Sequence, residues 1–189
     1  MHSHLLQMDT FGKVDPYALI KFQDFEYRTQ TVKGSYTPEW NETFHWDFRS
    51  LDKGCRTDFV VQVYDWDAGS KDDEVGSFTI PASRMCEIVR AKLGWEGQET
   101  FTLYQEGKGV VGHDKQLSEV TVKCRVIEAP EAFPSLEIDE DSKGARTIQV
   151  TMISAQHLPK VRKHYLLNRI ESVHVQTIPL ERIESVHVL

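Results

Sequence analysis

Cysteine is scarce: Cys55, Cys86 and Cys124 are the only three in 189 residues, and none belongs to a CxxC pair. An odd, unpaired count argues against a disulfide scaffold and fits a reducing cytosol. Long apolar runs are missing, and no stretch approaches the roughly 20 residues that cross a bilayer. Met1 to Asp9 lacks the basic start and apolar core of a secretion signal. The expected location is therefore cytoplasmic, and the acceptor triplet Asn41-Glu42-Thr43 reads as coincidence. HExxH, GxSxG and a GKS/GKT loop are absent, and the histidines form no Cys/His cluster, so zinc and the common hydrolase and nucleotide sites are not expected. No catalytic activity is expected either. Positive charge is in deficit, 22 Lys and Arg against 29 Asp and Glu, for a formal net charge of −7. Such a chain is repelled by nucleic acid and by acidic lipid unless the sign reverses locally.

What the sequence does contain is period-two alternation. Ala18, Ile20 and Phe22 form one face, as do Phe44, Trp46 and Phe48, Phe59, Val61 and Val63, and Val120, Val122, Cys124 and Val126. β-Branched and aromatic residues at this spacing predict half-buried antiparallel strands, and several of them without alternating long helices predict a sandwich. One helix interrupts the strands: Ser83 is its expected cap, Met85, Ile88, Val89 and Leu93 its inner face, and Gly94 its end.

Residues 1–128 read as one domain and 129–146 as an acidic linker. In residues 147–160, Ile148, Val150 and Met152 alternate in one more strand. Residues 161–189 form a tail in which Leu167–Val175 nearly repeats as Leu180–Val188. Two copies are too few for a solenoid, and no function is assigned to them.

Two loops concentrate carboxylates: Met8 to Tyr17, and Tyr64 to Gly76. Clustered aspartates supply the oxygens that calcium takes, but solvated acidic turns account for the same composition. Asp65-Trp66-Asp67 opens like a helix-loop-helix calcium loop, yet Ser70 stands at the turn-glycine position and Gly76 at the bidentate-glutamate position. The run Gly107-Lys108-Gly109-Val110-Val111-Gly112 matches GxGxxG, but a strand follows instead of a helix, so it reads as a hairpin loop. Lys21, Arg28 and Lys33 offer a basic strand face that Asp24 and Glu26 dilute, and a solvated face is the expectation. Lys160, Arg162, Lys163 and Arg169 are a denser basic cluster in or near the tail.

Three motifs in order give the chain a resemblance. Asp9, five residues, then Asp15-Pro16-Tyr17 resembles the first calcium loop of C2 domains. Thr37-Pro38-Glu39-Trp40-Asn41-Glu42-Thr43-Phe44 resembles the family's TPxWNExF stretch, and Val63-Tyr64-Asp65-Trp66-Asp67 with Asp73 and Gly76 resembles its third loop. The resemblance implies an all-β, eight-stranded antiparallel Greek-key sandwich with one short helix between late strands. It implies Asp9, Asp15, Asp65, Asp67 and Asp73 as calcium ligands, completed by the backbone carbonyls of Met8 and Trp66 and holding about two ions. Phe11, Ala68, Gly69 and Lys71 would then touch the membrane. The implied function is calcium-dependent targeting to anionic phospholipid, cytoplasmic until calcium makes the module membrane-peripheral. The alternative is a protein-interaction or assembly domain in which calcium is structural or absent.

Two departures stand out. The third-loop tip, Ala68-Gly69, lacks a bulky apolar residue. The strand ending in Leu-Pro that should precede the first loop is missing there, while Thr147 to Leu158-Pro159 matches it at the other end. That segment either completes the sandwich, within the chain or exchanged in a strand-swapped dimer, or begins a second C2 domain.

Overall fold

The computed structural model describes residues 12–48, 56–129 and 146–160. The duplicated segment and most of the expected linker lie outside these residues. Among the described residues the order is β1 Pro16–Phe22, β2 Phe25–Arg28, β3 Glu39–Phe48, β4 Phe59–Asp65, β5 Asp73–Ile80, α1 Ala82–Arg90, β6 Glu96–Thr102, β7 Tyr104–Gln105, β8 Lys108–Gly109, β9 Glu119–Glu128 and β10 Arg146–Gln156. Eight of these strands have four residues or more, matching the expected eight, and β7 and β8 are two-residue arms of a hairpin. Glu106 and Gly107, both at positive φ, make its turn, so the glycine-rich run is a hairpin as expected.

The strands form two antiparallel sheets, one ordered β2-β1-β4-β5-β7-β8 and the other β3-β10-β9-β6. Inward residues of both sheets interdigitate, as aligned sandwiches require. Phe22 and Phe59 of the first sheet meet Trp46 of the second at centroid distances of 5.6 and 5.7 Å, in edge-to-face geometry. Such pairs stabilise beyond the area they bury.

β10 lies between β3 and β9, paired to both along most of its length. Ile148, Val150 and Met152 are completely buried. A register shift between Met152 and Ser154 breaks the alternation, and beyond it Ala155 and Leu158 turn inward. The strand's exit is pinned to two loops. Leu158 N–H donates to Tyr36 O at 3.1 Å, His113 N–H to Leu158 O at 3.2 Å, and Ser118 Oγ to His157 O at 2.6 Å. Gly112 sits so close to the His157 carbonyl that a β-carbon there would overlap it.

The helix corrects the sequence reading. Its first residue is Ala82, with Pro81 as N-cap and no cap from its own side chain. Ser83 lies inside the first turn. Asp58, just before β4, accepts the Ala82 N–H at 2.8 Å, so a carboxylate distant in sequence satisfies an end group that a local serine was expected to serve. Met85, Ile88 and Val89 are buried as expected, but Leu93 lies past the helix and is half exposed. Arg146 at the start of β10 donates to the carbonyls of Val89 and Ala91 at the helix C-terminus, where a cation complements the helix dipole.

Candidate functional site

At one end of the six-stranded sheet, register brings acidic residues together. Pro16 on β1 opposes Asp65 on β4, and Asp65 opposes Asp73 on β5. The second pairing depends on a bulge. Val63 faces Gly76 but Tyr64 faces Glu74, so Val75 is an extra residue on β5. Bulges of this kind re-aim neighbouring side chains. Gly76 permits the arrangement, because a β-carbon there would come within 2.8 Å of Val110 Cγ2 and 3.1 Å of the Tyr104 carbonyl.

Asp65 is 1% exposed. Its Oδ1 accepts the Asp15 N–H at 2.6 Å, and the Trp66 N–H donates to the Asp15 carbonyl at 3.0 Å. Asp15 Oδ1 accepts the Gly34 N–H at 2.7 Å. Backbone N–H donors thus orient two carboxylates before any ligand arrives, and such bonds are what make a buried charge tolerable. Gly34 was not legible as part of the site, since only the folded turn brings its amide to Asp15.

Asp67 and Asp73 are both half-buried, while Ala68, Gly69, Ser70 and Lys71 form an exposed tip. Asp72, which the motif spacing does not mark, takes part as well. Its Oδ1 accepts the Asp67 N–H at 3.0 Å and its Oδ2 accepts the Tyr17 hydroxyl at 2.8 Å. Burial, followed by the Asp72 carboxylate, pushes the Tyr17 phenol up to about 12. Asp9, Met8 and Phe11 lie outside the described residues.

The basic residues are individually engaged. The Arg28 guanidinium stacks 3.8 Å from the Tyr17 centroid, Lys33 lies 5.6 Å from that of Trp66, and Lys21 pairs with Glu26 at 3.5 Å. Lys160 lines an open groove of about 670 Å³ together with Pro159, Asp73 and Glu74.

Among the described residues, the side-chain acceptors that hydrogen bonds and register bring to this end are the carboxylates of Asp15, Asp65, Asp72 and Asp73. Among the described residues, no group of three or more His, Cys, Asp or Glu is gathered closely enough to hold an ion by itself. Carboxylate oxygens are of the kind a hard cation such as calcium takes.

The C2 domain model matches residues 2–103, more than half of the chain. The chain belongs to the C2 domain family. Members are generally membrane- or lipid-binding modules, typically calcium-binding, and the domain itself is non-catalytic. Among relatives, Ras GTPase-activating protein 4 of Mus musculus is 32% identical over 108 residues, covering 57% of this chain and 13% of that protein. A probable serine/threonine-protein kinase of Dictyostelium discoideum is 27% identical over 158 residues, covering 81% of this chain and 15% of that protein. The 16 kDa phloem protein 1 of Arabidopsis thaliana is 29% identical over 86 residues, covering 44% of this chain and 55% of that protein. The chain thus spans only a small part of the first two relatives. Among the described residues, no helix of this C2 chain is long and apolar enough to cross a membrane.

Proposed function

We propose that the chain is a calcium-dependent module for binding anionic phospholipid membranes. The observation that carries this reading is the antiparallel register that sets Asp65 opposite Asp73, with the Asp15 amide bonded to the Asp65 carboxylate at the same sheet end. Asp9, Asp15, Asp65, Asp67 and Asp73 are assigned as ligands, with the Met8 and Trp66 carbonyls, for about two ions. Bound calcium supplies positive charge and open coordination positions for lipid phosphate and carboxylate oxygens. The residues' own contribution is to keep several carboxylates facing one end of a rigid scaffold, where they repel an anionic surface while uncompensated. Phe11, Ala68, Gly69 and Lys71 are assigned to the membrane face. Ala68 and Gly69 bury little area, and one aromatic side chain at position 11 contributes about 2 kcal/mol. Binding is therefore mainly electrostatic, with the protein cytoplasmic in chelator and peripheral to membranes in calcium.

The small loop tip also favours a second reading, a protein-interaction domain in which calcium is structural. Sedimentation with phosphatidylserine vesicles separates the two. The membrane reading expects pelleting in calcium, loss in chelator and steep weakening with salt. Equal binding to neutral vesicles, or binding undiminished in chelator, would overturn it.

A further inference from the structure

The loop between β4 and β5 is closed at its base by a carboxylate outside the assigned ligands. Residues 66–72 leave β4 at Trp66, pass the exposed tip, and return through Asp72. The outgoing leg is tied to the first strand by the Trp66 N–H, which donates to the Asp15 carbonyl at 3.0 Å. The returning leg is tied to the outgoing one by Asp72, whose Oδ1 accepts the Asp67 N–H at 3.0 Å. Its other oxygen accepts the Tyr17 hydroxyl at 2.8 Å.

Tyr17 is itself well anchored. It lies on β1 between β2 and β4. Its ring stacks on Tyr64 of β4 at 5.5 Å, and Arg28 of β2 lies over it at 3.8 Å. Only 7% of Tyr17 is exposed. The phenol is therefore a fixed point on the sheet, and Asp72 transmits that position to the Asp67 backbone.

We propose that Asp72 is a positioning residue of the calcium loop, braced by Tyr17 and holding Asp67 in place for the ion without contributing an oxygen to it. This rests on the calcium reading above and says which residue sets affinity at that site. Each Asp72 oxygen already has a donor, and one of those donors is the amide of a ligand. A loop whose ligand backbone is held in advance loses less freedom on binding, and supports around a metal site tune its affinity in this way. Asp72 thus acts through hydrogen-bond acceptance rather than through its charge. Asparagine keeps an acceptor oxygen for the Asp67 N–H, and alanine does not.

The test is calorimetric titration of the whole 189-residue chain with calcium chloride, for wild type, Asp72→Asn, Asp72→Ala and Tyr17→Phe. Loss of the acceptor for the Asp67 N–H predicts calcium affinity weakened about tenfold in Asp72→Ala, and loss of the Tyr17 brace about threefold in Tyr17→Phe, with unchanged stoichiometry. Asp72→Asn should stay within about threefold of wild type. In chelator, hydrogen exchange at the Asp67 amide should accelerate in Asp72→Ala while the amides of β4 and β9 keep their rates, and stay slow in Asp72→Asn; a general loss of stability would speed the strand amides as well. One ion fewer in Asp72→Ala would make Asp72 a ligand and overturn the inference. So would Asp72→Asn as weak as Asp72→Ala, or an unchanged Asp72→Ala, while calcium uptake by wild type leaves the functional reading standing. A wild-type chain that takes up no calcium overturns both.

Discussion

At the middle of the four-stranded sheet, β10 buries Ile148, Val150 and Met152 completely, while at the end of the six-stranded sheet Asp65 is buried almost as deeply. The first region is held by apolar area removed from water and by ladder bonds to two neighbours. The second holds a carboxylate whose lost hydration is replaced in part by the Asp15 amide. Burial alone therefore says little about what a residue does. Removing side chains from the first region is expected to cost stability, and, on the calcium reading proposed above, neutralising the second is expected to cost the response to calcium.

The largest expected effect breaks the first region outright. A chain ending at Asp141 lacks β10, leaving β3 and β9 with unpaired edges and an apolar slot between them. We expect loss of cooperative thermal unfolding by circular dichroism. A shorter chain that stays soluble and melts at the same temperature would show that β10 is dispensable to the sandwich. Next, Met152→Ala leaves a cavity in the same place and should cost about 2–5 kcal/mol in urea denaturation. A loss below about 1 kcal/mol would mean that the slot collapses around the smaller side chain.

On the other side of the comparison, Asp65→Asn combined with Asp67→Asn should abolish any rise in melting temperature with millimolar calcium. A ligand that binds only the folded state stabilises it in proportion to RT ln(1 + [L]/Kd). If the double variant responds to calcium like wild type, the ligands lie elsewhere.

The smallest effect concerns a buried group of neither kind. Burial pushes the Cys124 thiol up from its ordinary 9.0 to about 11. The unfolded chain therefore releases this proton first, so the contribution is fully present below pH 9 and is lost as pH rises from 9 toward 11. Stability should decline shallowly across that window, and Cys124→Ala should remove this part of the slope. Superimposable slopes would show that the thiol does not contribute.

Much of the apolar region was legible because each strand carries its own evidence. The alternation at Ile148, Val150 and Met152 needs no partner to be read, and all three are buried. It fails past the bulge at Met152 and Ser154, because an extra residue leaves no mark on composition. The charged region was legible only in part. Asp15, Asp65 and Asp73 stand out by motif spacing, whereas the partner of Asp72 is Tyr17, 55 residues away, which no local pattern reveals. The helix cap failed for the same reason: Asp58 reaches Ala82 across 24 residues, and only local candidates are visible in a sequence.

The glycine-rich hairpin run carries a different consequence, one for mutational tolerance. Gly107 has positive φ and open space around it, so asparagine or aspartate, which tolerate left-handed backbone, are admissible there. Gly112 has no conformational excuse but no room either, since the carbonyl it would strike belongs to the exit of β10. In a saturation library the two positions would leave opposite signatures, one a short list of small polar residues and the other glycine alone. Selection at Gly112 would therefore report the seating of a strand 45 residues downstream, without any contact to ligand.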